Sequence, residues 1–442
     1  MQRTKNISFA LNKYIKQTPL EKNIFLSDKY NANIYFKRED LQLCRSFKIR
    51  GALHKILKYR NCENLVTASA GNHAQGVAYA CNLLDRKGTI FLPTTTPLQK
   101  INRIKYYGKD KVKVKIIGNN FNESLDKAIQ YSELNTKNIF IHPYDDIDVI
   151  YGQSTIAHEI YNEIKPDYIV CSVGGGGLMS GLTNYVNLQN NNNDIRYNTD
   201  YTQSTYFSNL KKHKVINDYI YNKNKKHYCE IVGVEPDGAT SLKESLKQKK
   251  RVILKNIDTF VDGASVSQIG KLNYNILKNS KCDPISVTNE HLSHELLNIY
   301  QREGIVLEPA GGLPICALDK MKNEIKGKTV VCVLSGGNND VTRYNEIMEL
   351  NLNYLQLKHY FIMDFVQKPN QLKLFINNIL TETDDITRFE YIKKANKNYG
   401  RVLIGIELGN KDNLKSILSN LHEFNYKYTK IEVGDQLYDF VV

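Results

Sequence analysis

The chain has 442 residues, more than one hydrophobic core usually organises, so we expect two or three lobes and exclude a minimal binding module. Its formal net charge is +14, from 60 Lys and Arg against 46 Asp and Glu. The lysines are scattered among Asn, Ile and Tyr without a compact basic stripe, so nucleic-acid binding is not expected.

The eight cysteines are widely spread and form no Cys-x-x-Cys pair, which argues against a zinc knuckle or a redox centre. This spread indicates a reducing compartment. Residues 1–16 lack the apolar core of a signal peptide, and no stretch of eighteen apolar residues follows. We therefore expect a soluble, cytoplasmic protein that does not enter a membrane.

Short apolar runs alternate with amphipathic helical stretches from residue 64 to about residue 348, which is typical of a doubly wound α/β architecture. The natural inference is a parallel sheet. Helix candidates between the runs include 73–84 and 155–164. The predicted buried strands are 65–67, 89–91, 112–117, 138–141, 168–172, 231–234 and 329–334.

Residues 188–227 break this rhythm, because a run of asparagines from Asn190 to Asn193 is followed by many Asn, Tyr, Lys and Thr residues and few aliphatic ones. This composition predicts a solvated insertion. Its tyrosines could equally form an interaction surface, but a polar run that bridges two core elements is usually a tolerated surface loop.

After Tyr344 the alternation stops, and a second pattern begins at His359. The order of these elements, βαββαβ, predicts a ferredoxin-like domain over residues 358–442. A small domain of this shape is more often regulatory or oligomerising than catalytic. Its predicted elements are a strand at 360–366, a helix at 369–380, strands at 389–395 and 402–408, a helix at 411–421 and a strand near 426.

Three turns that contain glycine follow predicted strands, at residues 69–73, 174–178 and 334–338. Loops at the carboxyl ends of parallel strands converge on one crevice, so these turns predict a polar cleft that receives an anion. Four consecutive glycines at 174–177 let backbone N–H groups approach a phosphate at a helix N-terminus. A dinucleotide fingerprint fails because Met179 stands where the third glycine is required, and no Walker A sequence is present.

The run from Ser46 to Ala52, Ser-Phe-Lys-Ile-Arg-Gly-Ala, places Lys48 between an aromatic residue and a helix start. A lysine taken alone is usually a solvated side chain, and this one gains meaning only from the three turns. Arg50 either orients the site or lies on the surface of the helix, since both alternatives give the same sequence.

Together these runs resemble the threonine dehydratase family, within the fold-type II, tryptophan synthase β-like pyridoxal-phosphate enzymes. That group includes serine dehydratase, serine racemase and threonine synthase. The resemblance implies a catalytic domain of two α/β lobes over residues 1–348 and an ACT-like regulatory domain over 358–442. Further runs that carry it are Thr18-Pro19-Leu20, 37–42 (KREDLQ), 143–146 (PYDD), 233–236 (GVEP), 308–311 (EPAG) and, in the ACT-like domain, 385–391 (DITRFEY).

The resemblance implies that Lys48 forms a Schiff base with pyridoxal 5′-phosphate and later takes the Cα proton of the substrate. It also implies that Phe47 packs beside the cofactor ring, Asn72 hydrogen-bonds the 3′-oxygen, and Ser335 faces the ring nitrogen. The residues implied to hold the phosphate are Gly174, Gly175, Gly176, Gly177 and Leu178. The implied substrate loop comprises Ser69, Ala70, Gly71, Asn72 and His73.

The implied reaction removes water and ammonia from L-threonine to give 2-oxobutanoate, the first committed step of isoleucine biosynthesis. L-Serine is a possible second substrate, isoleucine and valine are the implied effectors, and a homo-oligomer, either tetramer or dimer, is expected. Two alternatives stay open. A serine dehydratase or racemase shares the Ser-Phe-Lys run but commonly lacks an ACT-like domain. A catalytically inactive amino-acid sensor would not need to keep Lys48, Asn72, the glycine run and Ser335 together.

Two further groups have more than one interpretation. His73 is either a neighbour of the substrate or a satisfied structural histidine. His291 and His294, beside Glu290 and Glu295, have a spacing that could suit a metal, but the run predicts a helix start with a solvated polar face. With no third ligand of matching spacing, no metal site is expected.

Overall fold

Buried apolar runs form most strands of the N-terminal two thirds of the chain, but the predicted buried strand at 112–117 is an edge strand, over 112–116, in which no residue is buried. The computed structural model describes residues 1–59, 61–191, 228–280, 283–391, 398–432, 435 and 437–438. Within them, no helix is both long enough and apolar enough to cross a membrane. The strands are β1 (Leu20–Lys22), β2 (Asn33–Arg38), β3 (Asn64–Ala68), β4 (Gly88–Leu92), β5 (Val112–Ile116), β6 (Asn138–Phe140), β7 (Tyr168–Ser172), β8 (Glu230–Pro236), β9 (Ile285–Val287), β10 (Thr329–Leu334), β11 (Lys358–Val366), β12 (Asp385–Tyr391), β13 (Tyr399–Glu407) and β14 (Tyr428–Ile431).

Helices separate most of the strands along the chain. They are α1 (Gln2–Leu11), α2 (Ile24–Tyr30), α3 (Lys48–Lys58), α4 (Asn72–Leu83), α5 (Leu98–Gly108), α6 (Phe121–Glu133), α7 (Ile147–Glu163), α8 (Gly177–Asn191), α9 (Ser241–Lys247), α10 (Lys271–Leu277), α11 (Asn289–Glu303), α12 (Pro309–Met321), α13 (Tyr344–Tyr354), α14 (Gln371–Ile379) and α15 (Asn413–Glu423).

The chain forms two structural units, and each unit comprises two separate segments of the sequence. The first unit comprises residues 1–288 and 305–339, and the second comprises 289–304 and the described residues from 340 onward. Helix α11 therefore belongs with the C-terminal elements, where it packs against α13. The predicted domain ranges, 1–348 and 358–442, stay a prediction.

The first unit contains two sheets, one in each of its lobes. The four-stranded sheet has the order β5-β4-β3-β6 and is wholly parallel. The six-stranded sheet has the order β1-β2-β10-β7-β8-β9, and only the pairing of β1 with β2 is antiparallel. The seven predicted strands of this region are all present, which confirms the α/β interpretation, whereas β1, β2 and β9 were not predicted.

Helix α3 is held against α7 by two glycines. A Cβ atom built on Gly152 of α7 would lie only 2.5 Å from the Cα of Gly51 on α3, so the two backbones approach as closely as glycine allows. Because Lys48 is the first residue of α3, this contact fixes where the lysine side chain begins.

A buried cluster of charges lies behind α3. Arg50 donates to both carboxylate oxygens of Glu39 and to both of Glu159, at 2.6–2.9 Å. Lys37 donates to Glu159 at 2.6 Å, and both cationic side chains are fully buried. Arg50 is thus not a helix-surface residue, and its side chain packs against α7 and the end of β2.

The second unit has a four-stranded antiparallel sheet of order β12-β13-β11-β14. With one helix after β11 and one after β13, this is the predicted ferredoxin-like arrangement. Its core includes Phe361 and Phe365 from β11, together with Phe375 and Ile417 from the helices.

The two histidines of α11 take part in packing within the second unit. The His294 ring hydrogen-bonds the side chain of Asn351 at 2.9 Å, and His291 and His294 both stack on Tyr354. These contacts agree with the interpretation of this run as a helix.

The predicted insertion begins later than its composition suggested. Helix α8 continues to Asn191, so the first four residues of the range 188–227 are helical. Residues 192–227 lie outside the described residues.

Candidate active site

Lys48 lies where the end of β10 meets the start of α3. Ser46 forms an isolated antiparallel bridge with Gly336, and the backbone N–H of Phe47 donates to the carbonyl of Ser335 at 3.1 Å. The lysine is therefore close in space to the Ser335 loop although nearly 290 residues separate them in the chain. The sequence analysis placed these residues in one cleft, and the structure brings them together.

The amine of Lys48 is in a desolvated position. Its Nζ donates to the carbonyl of Pro143 at 3.1 Å and lies 5.2 Å from the centre of the Phe47 ring. Burial lowers the pKa of Lys48 to about 8, and the negative charge of Glu308 opposes that shift. A neutral amine, which is both a nucleophile and a base, is therefore accessible near neutral pH.

The glycine run after β7 is packed too tightly for side chains. A Cβ atom on Gly175 would lie 2.3 Å from the ring of Tyr144, and one on Gly174 would lie 2.9 Å from the Cα of Ala264. Gly176 has a φ of +88°, in the left-handed region that favours glycine. This turn leads directly into α8, so it presents the N-terminus of a 15-residue helix, the geometry that binds a phosphate.

Asn273 holds the glycine turn from the other side. Its Nδ2 donates to the carbonyl of Gly175 at 2.7 Å and to that of Tyr144 at 3.0 Å. These bonds direct the carbonyl of Gly175 toward α10. No signal in the sequence marked Asn273, because it lies far along the chain in an otherwise ordinary helix.

The predicted substrate loop connects β3 to α4. The Ser69 side chain accepts a hydrogen bond from the N–H of Gly71 at 3.2 Å, and a Cβ atom on Gly71 would meet no described atom within 4 Å. This loop is therefore open to an approaching molecule. His73 differs, because its side chain is buried and its Nε2 lies 3.1 Å from the carbonyl of Ile141. Burial lowers the pKa of His73 to about 3, which favours the structural interpretation of this residue.

Ser335 follows β10 and is 1% exposed. Its hydroxyl accepts a hydrogen bond from that of Ser172 at the end of β7, at 3.3 Å. The predicted partner of the ring nitrogen is therefore a neutral hydroxyl in a buried position.

Glu308 is a site residue to which the sequence analysis gave no role. Its carboxylate accepts hydrogen bonds from Nδ2 of Asn72 at 2.7 and 2.8 Å. Burial raises the pKa of Glu308 to about 7. The run 308–311 carried the resemblance, but a contact between residues 236 positions apart leaves no local pattern in a sequence.

The comparisons with known proteins show the family of this chain. The family model described as "Pyridoxal-phosphate dependent enzyme" matches residues 11–200 and 216–336, and the "C-terminal regulatory domain of Threonine dehydratase" matches 349–441. The chain is 43% identical over 438 residues to the L-threonine dehydratase biosynthetic IlvA of Halalkalibacterium halodurans, covering 98% of this chain and 97% of the relative. It is 40% identical over 440 residues to the protein of the same name from Lactococcus lactis, covering 98% and 97%.

Solved structures give the same result for the fold. The processed form of threonine deaminase isoform 2 from Solanum lycopersicum has a TM-score of 0.66 and 31% identity, covering 79% of this chain and 93% of the other. A serine racemase from Dictyostelium discoideum has a TM-score of 0.63 and 27% identity, covering 77% of this chain and 98% of the other. The fold-type II class with a C-terminal regulatory domain is thereby confirmed. The glycine turn that would clash with any Cβ, the desolvated amine of Lys48 and the buried hydroxyl of Ser335 fit pyridoxal phosphate, and the chain belongs to the biosynthetic threonine dehydratases within the pyridoxal-phosphate-dependent enzymes.

Proposed function

We propose that this chain removes water and ammonia from L-threonine to give 2-oxobutanoate, using pyridoxal phosphate held by Lys48. The observation that carries the proposal is the amine of the half-buried Lys48, which donates to the carbonyl of Pro143 beside the Ser335 loop and has a pKa lowered to about 8. The relatives named L-threonine dehydratase, which match almost the whole chain, support threonine as the substrate.

The cofactor supplies an electron sink for the charge that develops at the substrate Cα. Lys48 is the residue that would hold the cofactor covalently, and its amine, when free, would accept the Cα proton. Its lowered pKa suits this exchange, because a base works best when its pKa lies near the working pH.

The remaining residues bind and orient the reactants. The glycines 174–177 and Leu178 hold the phosphate at the start of α8, and Phe47 packs beside the ring. Ser69, Ala70 and Gly71 receive the substrate carboxylate through a hydroxyl and backbone N–H groups. The neutral hydroxyl of Ser335 does not hold the ring nitrogen protonated as a carboxylate would, and this favours clean elimination over transamination.

The proposal extends to regulation and location. The family match over residues 349–441 supports regulation of activity by a ligand of the second unit, and we propose isoleucine with valine opposing it. We also propose a homo-oligomer, either tetramer or dimer. Seven cysteines among the described residues are free thiols, which supports a cytoplasmic location.

A serine-directed enzyme is the second candidate, favoured by the likeness to the serine racemase structure. The regulatory domain matched over residues 349–441 is the feature that favours threonine instead. Formation of 2-oxoacid from L-threonine and from L-serine, each with and without isoleucine and valine, separates the two candidates.

The role of Lys48 is tested by the variant Lys48→Ala, with Lys58→Ala on the same helix as its matched control. Lys58 pairs with Asp148 at the far end of α3, away from the cleft. We expect the first variant to fold but to form no 2-oxobutanoate and to show no borohydride-stable link to the cofactor, while the control retains both. Appreciable turnover by folded Lys48→Ala protein would contradict the assignment.

A further inference from the structure

The side-chain amide of Asn72 is held at both ends. Its Nδ2 donates to both carboxylate oxygens of Glu308, and its Oδ1 accepts from Nδ2 of Asn338 at 2.7 Å. Asn338 also donates to the carbonyl of Cys44 at 2.8 Å, and its own Oδ1 accepts from Arg103 at 3.0 Å. We call this chain of four side chains, Arg103, Asn338, Asn72 and Glu308, the Asn72 clamp.

The chemistry of the two outer residues leaves one orientation for both amides. A guanidinium group only donates, so Asn338 must turn its oxygen toward Arg103 and its nitrogen toward Asn72. An ionised carboxylate only accepts, so Asn72 must turn its nitrogen toward Glu308. The two ends of the clamp therefore impose the same orientation on Asn72 independently of each other.

The side chain of Glu308 contacts Asn72 instead of capping its own helix. It is the N-cap residue of α12, yet its side chain makes no capping hydrogen bond there. A Cβ atom on Gly336 would lie only 2.3 Å from its Oε1, so the glycine makes room for the carboxylate. The carboxylate is also desolvated, although an ionised glutamate is seldom buried without such partners.

We propose that Glu308 and Asn338 are positioning residues, which fix the amide of Asn72 so that an N–H bond stays available to the 3′-oxygen of pyridoxal phosphate. This inference rests on the proposed function only in taking the cofactor to lie in this cleft. Glu308 and Asn338 act through Asn72, so their loss changes how the cofactor is held without removing a reacting group. Residues that orient metal ligands commonly change metal affinity or activity by about 10- to 100-fold when they are lost, and we expect an effect at the low end of this range here.

The protonation of Glu308 makes the hydrogen bonds of the clamp depend on pH. The charged groups that act on this carboxyl are Lys48 and Lys100, which lower its pKa, and Asp262, which raises it, while burial has the largest effect and brings the pKa to about 7. Above that value the two carboxylate oxygens share one N–H of Asn72, which leaves its other N–H for the cofactor. Below it, one oxygen carries a proton and no longer accepts from Asn72.

The experiment compares the parent holoenzyme with Glu308→Gln and Asn338→Asp, and takes Asn64→Asp as a matched control. Asn64 is another partly buried amide of the first unit, hydrogen-bonded to Thr89 at 3.1 Å outside the cleft. We expect about tenfold weaker binding of pyridoxal phosphate and an altered absorbance of the bound cofactor in both clamp variants. Asn64→Asp should match the parent in both measurements.

The pH dependence of the cofactor absorbance separates a positioning role from a structural one. The parent should show a step near pH 7 that Glu308→Gln lacks and that Asp262→Asn moves to lower pH. A step that persists unchanged in Glu308→Gln belongs to another group and overturns this assignment of Glu308.

A double variant, Glu308→Gln with Asn338→Asp, tests the orientation itself. The new carboxylate at position 338 attracts the Asn72 nitrogen, and the new amide at 308 donates to the Asn72 oxygen, so the clamp re-forms in reverse. Thermal stability of the cofactor-free protein should exceed that of Asn338→Asp, which loses the same bond to the carbonyl of Cys44, while the cofactor absorbance stays altered. Recovery of the parent absorbance, or unchanged affinity and absorbance in both single variants, overturns the proposal. These readouts do not depend on turnover, so a failure of the proposed function, seen as no 2-oxobutanoate from the parent, is distinguishable.

Discussion

Replacing Arg50 by methionine should be among the most damaging single changes in the first unit. Arg50 is fully buried and lies between Glu39 and Glu159, with Lys37 as the second cation. The cluster is thus neutral in the parent, with two positive and two negative groups. Methionine keeps much of the side-chain volume but removes one positive charge and the hydrogen bonds that it donates.

The size of the expected loss of stability depends on the partners that each carboxylate retains. Glu159 retains its pair with Lys37, whereas the carboxylate of Glu39 retains only a hydrogen bond from the hydroxyl of Thr18 among the described residues. Breaking a buried pair in this way costs about 3–5 kcal/mol of unfolding free energy. The pair of Lys137 and Glu63 is exposed to solvent, which screens its attraction, so Lys137→Met is a matched control.

The assay is denaturant unfolding followed by far-ultraviolet circular dichroism, since the chain has no tryptophan to report by fluorescence. We expect Arg50→Met to lower the unfolding free energy by about 3–5 kcal/mol and Lys137→Met to leave it nearly unchanged. Adding Glu39→Gln to Arg50→Met should recover a large part of the loss, because the unpaired charge is then gone. A single variant that loses less than about 1 kcal/mol, or a double variant as unstable as the single one, would refute the electrostatic reasoning.

Three other predictions concern the cofactor, pH and the second unit. Ser335→Asp should hold the ring nitrogen protonated, alter the cofactor absorbance and reduce the share of clean elimination; an unchanged spectrum and product ratio would show that Ser335 does not face the ring. Burial raises the pKa of Glu235 to about 7, so its native state binds a proton more tightly than the unfolded chain, and its contribution to stability is lost as the pH rises from 4.5 through 7. The unfolding free energy of Glu235→Gln, measured relative to that of the parent, should therefore rise by roughly 3 kcal/mol between pH 4.5 and 8. Denaturant unfolding at both pH values checks this. A chain ending at Leu355 keeps α13 against α11 and should be more soluble than one ending at Asn339, and it should lose its response to isoleucine; inhibition equal to that of the full chain would place the effector site elsewhere.

The strands that the sequence predicted accurately have compositions that strongly favour strands. β7 and β10 are short, β-branched and flanked by turn residues, and their observed bounds equal the predicted ones. β2 was not predicted because it ends in Lys37 and Arg38, which the usual rule places in solvent. In the structure both are buried with carboxylate partners, and only tertiary contacts could reveal this.

The sequence predicted those residues of the site that lie in short, continuous motifs. Lys48, the glycine turn and Ser335 each follow a recognisable element, and the structure brings Lys48 and Ser335 together as expected. Asn338 lies in the turn at 334–338, which the sequence predicted in the same crevice as Asn72, but neither its hydrogen bond to Asn72 nor the contact with Glu308 leaves a local pattern. The membership of α11 in the second unit was hidden for the same reason, since it depends on packing with a helix that comes later in the chain.

The position of β10 has a consequence for how the protein is made. β10 lies between β2 and β7, pairing with Asn33–Arg38 on one side and with 168–170 on the other. A growing chain therefore cannot complete the six-stranded sheet until residue 334 has left the ribosome, and β2 must wait with an unpaired edge for most of the synthesis. Contacts of such long sequence separation slow folding and leave strand edges open to aggregation. We expect nascent chains of this protein to depend on chaperones until β10 emerges.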